Sequence, residues 1–360
     1  MASSSGSATG ASPQVRPRVE SLDLLRGLCA VGVVVYHCLD WLGLVELHNL
    51  GLYGVYVFFV LSGASMVLAY DTRIGDAQAL GSYLAKRYIR LAPLYALVCT
   101  VVTLQLAADG ASIRALAARV AMNVSLLFGF VNPGETALAT GGWSLGIEFL
   151  FYLLFPAMCL LSRLRRFGLI VAVGFGLQIL CVNLTLANHA GLGTNWVRYT
   201  QLGSFVGYFL AGVWIGRRQV NRARIPRAAA ILLLALSSAA LLLCHGATAD
   251  LSLIGIRGVA LAIASVVLVL VTAQLGVGSL RRFAGILGNA SYPLYLLHPL
   301  VFAAIRSPLG QSTLGLISPV TSTAATLGTS LLLALAVHRW FEKPVIAWAT
   351  ARLRAWTAPS

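Results

Sequence analysis

Arg26 and His37 stand eleven residues apart in one apolar stretch. In an α-helix, eleven steps of about 100° return the chain to within about 20° of the same face, about 16 Å further along the axis. Both side chains can therefore line one cavity, the guanidinium near one end of a span and the imidazole past its middle. Ionisable groups are costly in hydrocarbon and mark pathways or reaction centres. An imidazole there can move a proton, and a guanidinium can hold an anion. Glu148 lies five residues into a second apolar stretch that begins at Trp143, about 7 Å deep by helical rise. It is expected at the depth of His37, as a carboxylate able to hold the imidazole. On a third stretch Ser291, Tyr295 and His298 fall at i, i+4 and i+7, again one face.

Each of these residues also has a plainer reading. His298 can be a hydrogen-bonding link between helices, and Glu148 the partner of an arginine. Arg87 and Arg90 fall on adjacent helical turns beside Lys86, close to Pro93 and Tyr95. They are either a topology anchor or a fork for phosphate oxygens. The other four histidines, His48, His189, His245 and His338, sit at span or loop ends and read as interface residues.

The elements that must carry these groups are membrane helices. Of 360 residues 58% are hydrophobic and 10% charged, with mean hydropathy +0.84, too apolar for one soluble core. Apolar runs near the roughly 20 residues that cross a bilayer recur along the chain, which predicts an all-α polytopic membrane helical bundle and excludes a barrel. About ten transmembrane helices are expected, near 24–45, 52–70, 88–108, 143–162, 168–187, 199–216, 228–245, 251–272, 284–305 and 319–338. With the N-terminus inside, 21 of the 26 basic residues fall at inner ends, so both N- and C-termini are expected to be cytoplasmic. The stretch from Arg119 to Val131 is too short to cross and reads as a re-entrant or interfacial helix.

The formal charge of +15 is topological by this reading, and no nucleic-acid partner is expected. The six cysteines lack CxxC or Cys/His spacing and read as packing residues, and no metal site is implied. Residues 1–20 read as a disordered cytoplasmic tail, 21–345 as the transmembrane domain and 346–360 as a cytoplasmic C-terminal tail.

Six blocks in order then resemble the acyltransferase family 3 membrane proteins. These are Asp23-Leu-Leu-Arg26 through Tyr36-His37, Gly54-Val-Tyr56-Val-Phe-Phe through Ser62-Gly63, and Lys86-Arg87-Tyr-Ile-Arg90 through Tyr95. Trp143-Ser144-Leu-Gly-Ile-Glu148 through Tyr152 and Pro156, Gly288 through Ser291, Tyr295 and His298, and Phe341-Glu342-Lys-Pro344 complete the set. That family includes bacterial O-antigen, exopolysaccharide and Nod-factor O-acetyltransferases and some antibiotic acyltransferases. The resemblance implies a bacterial inner-membrane enzyme that moves an acyl group, expected to be acetyl, from cytoplasmic acyl-CoA to a hydroxyl of an extracytoplasmic carbohydrate.

By the same resemblance His37 and Glu148 are the catalytic pair, and Arg26, Lys86, Arg87 and Arg90 bind acyl-CoA (acetyl-CoA). Tyr56, Trp143, Ser144, Tyr152, Ser291, Tyr295 and His298 position substrates. Tyr56 departs from the pattern, since many members carry Asp there, so Tyr56 or Glu148 must orient the histidine if that Asp does so elsewhere. The expected partners are a carbohydrate or glycolipid acceptor, membrane lipids and polysaccharide-assembly proteins, with a homo-oligomer left open. Two alternatives stand beside this reading. One is an acyltransferase for a small metabolite such as a macrolide sugar. The other is a carrier or flippase for lipid-linked sugar, against which the lack of paired sequence halves argues.

Overall fold

The computed structural model describes residues 19–44, 47–244, 246–314 and 318–357. The expected N-terminal tail, apart from its last two residues, and His245 lie outside the described residues. The described chain is helical, with twelve principal helices. They are α1 (Glu20–Trp41), α2 (His48–Tyr70), α3 (Ala77–Ala108), α4 (Ile113–Val124), α5 (Trp143–Leu161), α6 (Phe167–Leu186), α7 (Val206–Val220), α8 (Arg227–Leu243), α9 (Gly255–Thr272), α10 (Arg281–Arg306), α11 (Pro319–Val337) and α12 (Lys343–Thr357). Between α11 and α12 the helix widens into a π turn over His338–Glu342.

Among the described residues, seven helical segments are long and apolar enough to cross a membrane: α1, α2, α3, α5, α6, α9 and the continuous stretch Pro319–Ala355. Three more segments read as spans from the sequence are also helical, the third over its whole expected length. α7 and α8 have 15 and 17 residues. α10 has 26, but its Asn289, Ser291, Tyr292, Tyr295 and His298 dilute its hydropathy. The span expected from residue 199 starts only at Val206, because Trp196–Tyr199 and Leu202–Ser204 form short turns before it. α4, at 12 residues, is about 18 Å long and too short to cross. α12 takes up the segment read as a C-terminal tail.

α2 is the hub of the bundle, packing against α7, α1, α9, α5 and α8, and 72% of its apolar window is buried. Its contact with α7 is made backbone to backbone. A Cβ at Gly212 would run into the Val60 carbonyl, one at Gly63 into the Phe209 carbonyl, and one at Gly216 would lie 2.7 Å from the Ala64 carbonyl. Small residues four apart allow this approach, the usual way helices associate where no hydrophobic gain is available in lipid. α6 lies at the margin, with 17% of its window buried. Its exposed Leu169, Val173, Leu177, Leu180 and Leu184 recur at helical spacing and form one lipid-facing stripe.

α1 and α10 form a second close pair. A Cβ on Gly27 would enter the Leu287 side chain, and one on Gly288 would lie 2.7 Å from Asp23 Cβ. Ion pairs tie the helix ends on the side where α1 starts: Arg281 Nε to Glu20 at 2.8 Å and Arg217 to Asp71 at 2.7 Å. Pro156 inside α5 cannot donate to the Tyr152 carbonyl, and the Tyr83 hydroxyl of α3 donates to that oxygen instead, at 2.8 Å.

Gly212→Val should force α2 and α7 apart at the cost of overpacking, about 1–3 kcal/mol or more. The expected outcome is a clear fall in the thermal stability of detergent-solubilised protein, with an equivalent Gly176→Val change on α6, where a Cβ meets nothing within 4 Å, close to neutral. Tyr83→Phe, which leaves the Tyr152 carbonyl unpaired, should cost about 1–3 kcal/mol in the same assay.

Candidate active site

Two neighbouring polar centres lie along the α1–α10 pair. The larger is a cavity of about 410 Å³. Its lining runs along α2 from Val55 to Ala69, fourteen residues or about 21 Å of helix. Arg26, Arg87 and Arg90 stand toward the end where α1 begins, and Ser144 and Tyr295 toward the interior.

The three guanidiniums are held differently. Arg26 donates to Asp23 Oδ1 at 3.2 Å and to Ser65 Oγ at 2.9 Å. Arg90 pairs with the buried Glu342, whose other oxygen accepts from His338 Nδ1 at 2.7 Å, and lies 5.5 Å over the Tyr292 ring. Arg87 donates to the Tyr70 hydroxyl at 2.8 Å and stands 4.9 Å over that ring and 5.7 Å from the Tyr152 ring. Its buried Nε has no hydrogen-bond partner among the described residues. Arg87 is thus the cavity guanidinium that no described carboxylate neutralises, which is the state an anionic ligand needs.

Glu148 lines the same cavity, where it accepts from the Tyr152 hydroxyl at 2.5 Å and from Ser62 Oγ at 2.8 Å. At the inner end the Tyr295 hydroxyl donates to the Gly141 carbonyl at 3.0 Å and lies 3.0 Å from Ser144 Oγ, which also reaches that carbonyl, at 2.9 Å. Phe58 packs edge-on against the Tyr295 ring at 6.0 Å. Ser291 lines the wall with its hydroxyl bonded to the Gly288 carbonyl at 2.7 Å.

The smaller centre lies just past Tyr295. His37 Nδ1 is 2.8 Å from His298 Nε2, and the His298 and Tyr295 rings are 6.3 Å apart. Trp41 stacks on His37 at 4.9 Å with the planes 6° apart. His298 is fully buried, whereas His37 is half-buried and Trp41 is 37% exposed, so this centre faces the far end of α1. Tyr295 and Phe58 belong to the cavity lining, and Tyr295 is the one of the two with a ring contact to His298.

The expected pairing of His37 with Glu148 is corrected by this arrangement. Similar depth along two helices does not fix which faces meet. α10 occupies the His37 face of α1, so the imidazole meets His298, while Glu148 turns toward α2 and its own Tyr152. Tyr56 is not in the cavity either. It is buried, bonded to the Tyr199 hydroxyl and stacked on Tyr208 at 5.1 Å. Trp143 packs between Phe205, at 5.2 Å, and Trp196, at 5.4 Å, outside the cavity lining. Lys86 also lies outside the lining, because Arg87 and Arg90 take the inward face of α3.

Asp23, Ser62 and Glu342 were read from the sequence only within the resembling blocks, without a role, and Ser65 and Tyr70 were not singled out. Asp23 at i−3 from Arg26 and Trp41 at i+4 from His37 were within reach of helical spacing. The Glu342–Arg90 pair joins residues 252 positions apart and left no local signal.

Comparison with known proteins places the chain in a family. The exopolysaccharide production protein ExoZ of Rhizobium meliloti (strain 1021) is 27% identical over 322 residues, covering 84% of this chain and 92% of that protein. No solved structure matches the chain at a significant level. The Acyl_transf_3 model, described as an acyltransferase domain, matches residues 19–339. The match takes in α1 through α11, both polar centres and the whole α1–α10 seam, and the chain therefore belongs to the Acyl_transf_3 family of membrane acyltransferases.

Proposed function

We propose that the protein is an O-acetyltransferase that passes acetyl from cytoplasmic acetyl-CoA to a hydroxyl of an extracytoplasmic, exopolysaccharide-type carbohydrate. The observation that carries this reading is the placement of two centres along one helix pair. A cavity with an uncompensated arginine lies toward one end, and an imidazole open toward the other end sits one side-chain layer beyond it.

The end bearing Arg163, Arg217 and Arg281 is the cytoplasmic one by the positive-inside rule. On this topology the bundle crosses the membrane ten times, with α7, α8 and α10 completing the set, and both termini are inside. Acetyl-CoA then enters at the start of α1 with its phosphates on Arg87, supported by Arg26 and Arg90. Arg87 offers the planar fork that suits phosphate oxygens. The thioester lies inward, where Ser144 and Tyr295 present hydroxyls to the developing oxyanion. Glu148 with Ser62 and Tyr152 shapes the wall beside the donor arm. The carbohydrate approaches from the Trp41 end, and an exposed indole beside the base suits the apolar face of a sugar.

In the reaction, His37 Nε2 removes the acceptor hydroxyl proton as the oxygen bonds to the thioester carbonyl. The C–S bond breaks, its electron pair leaves on sulfur, and the thiolate takes the proton back from His37. The Tyr295 ring stands in the path and must turn aside for the acetyl group to reach the acceptor. The overlap with ExoZ, a protein whose name places it in exopolysaccharide production, supports the acceptor class.

His37→Ala, compared at equal membrane content, should lower acetyl transfer to de-O-acetylated surface polysaccharide by about 100-fold or more. Wild-type transfer by that variant, read from O-acetyl signals in the polysaccharide NMR spectrum, would remove the base from the scheme. Arg87→Gln should raise the KM for acetyl-CoA by about tenfold, the loss of one charge-assisted contact of about 1.5–3 kcal/mol, with kcat changed less. Arg87→Lys should recover part of that loss, since it keeps the charge without the fork. An unchanged KM in both variants would place the donor phosphates elsewhere.

A further inference from the structure

His37 is held by no carboxylate among the hydrogen bonds described for it, so the question is what sets the state of its ring. The answer can be read from the acceptors around His298. Its Nδ1 lies 3.2 Å from the Leu294 carbonyl oxygen, an atom that can only accept. Nδ1 must therefore carry the hydrogen, and in a neutral ring that leaves the lone pair on Nε2. His298 Nε2 is in turn the atom 2.8 Å from His37 Nδ1, so His37 Nδ1 carries the hydrogen of that bond. The reverse assignment would set the lone pair of His298 Nδ1 against that of the Leu294 oxygen. With Nδ1 protonated, the lone pair of His37 is on Nε2, for which no hydrogen bond to a described residue exists. Trp41 stacks over the face of the His37 ring, 4.9 Å away and 6° from parallel, and its ring centroid lies 5.9 Å from that of His298, so the plane of His37 is fixed as well as its tautomer.

We propose that His298 is a positioning residue that fixes His37 as its Nδ1–H tautomer, so that the Nε2 lone pair faces the carbohydrate hydroxyl. The proposal rests on the reading of His37 as the base. When Nε2 takes the hydroxyl proton, the ring becomes an imidazolium whose Nδ1–H stays on the His298 lone pair, a charge-assisted bond stronger than the neutral one. When the CoA thiolate takes the proton from Nε2, the same tautomer is restored and His298 has gained and lost nothing. Without an acceptor at the His298 Nε2 position, nothing favours the useful tautomer and the imidazolium loses its partner.

The test compares two near-isosteric replacements in purified, reconstituted enzyme, with radiolabelled acetyl-CoA and de-O-acetylated surface polysaccharide as substrates. His298→Gln can place an amide oxygen where Nε2 was, and His298→Met cannot. His298→Met should lower kcat by about 100-fold with both KM values within about twofold of wild type, and His298→Gln should recover at least about tenfold of that loss. Equal activity of the two variants, a kcat for the Met variant within about threefold of wild type, or a loss confined to KM would overturn the proposal. Should the Met variant fail to accumulate in membranes, His298→Leu takes its place with the same criteria. His37→Ala, measured alongside, separates the two levels. If it turns over normally, the assignment of the base is wrong. If it is inactive while His298→Met works, only the role of His298 is wrong.

Discussion

The close packing of α1 on α10 is the constraint on which both centres depend. Gly27 and Gly288 remove the side chains that would hold the helices apart, and the contact then runs the length of both. Near one end Asp23 and Arg26 of α1 face Ser291 and Tyr292 of α10 around the cavity mouth. Three turns further His37 meets His298. The separation of the two centres is therefore a property of helical rise and not of loop geometry. One residue of slip rotates a helix by about 100° and would carry Arg26 and His37 off the seam together. Tight packing of small residues makes such a slip costly, because every step puts a side chain where only a glycine fits.

Around this seam many polar groups are paired, as a low-dielectric interior favours, with Arg87 Nε among the exceptions. Tyrosines do much of the pairing. Tyr83 serves the carbonyl that Pro156 strands, Tyr95 donates to Asn123 Oδ1 at 2.6 Å, and Tyr292 donates to the Leu91 carbonyl at 2.6 Å. Tyr295 differs in its position, since it lines the arginine-bearing cavity while its ring lies 6.3 Å from that of His298. Its hydroxyl is held by two contacts of ordinary length, at Ser144 and Gly141.

The helical, membrane-spanning nature of the chain was legible in composition and run length, since the bilayer imposes both. Arg26, Arg87 and Arg90 were legible as one cavity's basic lining because helical spacing puts each on an inward face, and Ser291 and Tyr295 for the same reason. Lys86 was read with the arginines by adjacency, although neighbours in sequence point apart on a helix. The His37–Glu148 pairing failed for a related reason. Rise gives depth, but the choice of neighbour depends on which helices pack, and that was set by glycine contacts between segments some 260 residues apart. Tyr56 was judged by the residue type that relatives carry there. In this chain the position points into an aromatic cluster with Tyr199, Tyr208 and Phe205.

That last difference bears on why a histidine and not a carboxylate should stand behind His37. A carboxylate among the buried tyrosines of α2, or at the place of His298, would have to keep its charge in a region where charge is expensive, or take up a proton and lose its use as an acceptor. A neutral imidazole avoids this choice. Anchored through Nδ1 on the Leu294 carbonyl, it offers a lone pair that does not depend on ionisation and costs little to bury. What it gives up is the stronger attraction of a full negative charge for the imidazolium. The Trp41 face stacked on His37 compensates in part, because an aromatic face attracts a cation more than a neutral ring. In the proposed mechanism charge appears in this part of the bundle only while the proton is on Nε2, and a centre that is neutral at rest can sit between two helices without a counter-ion.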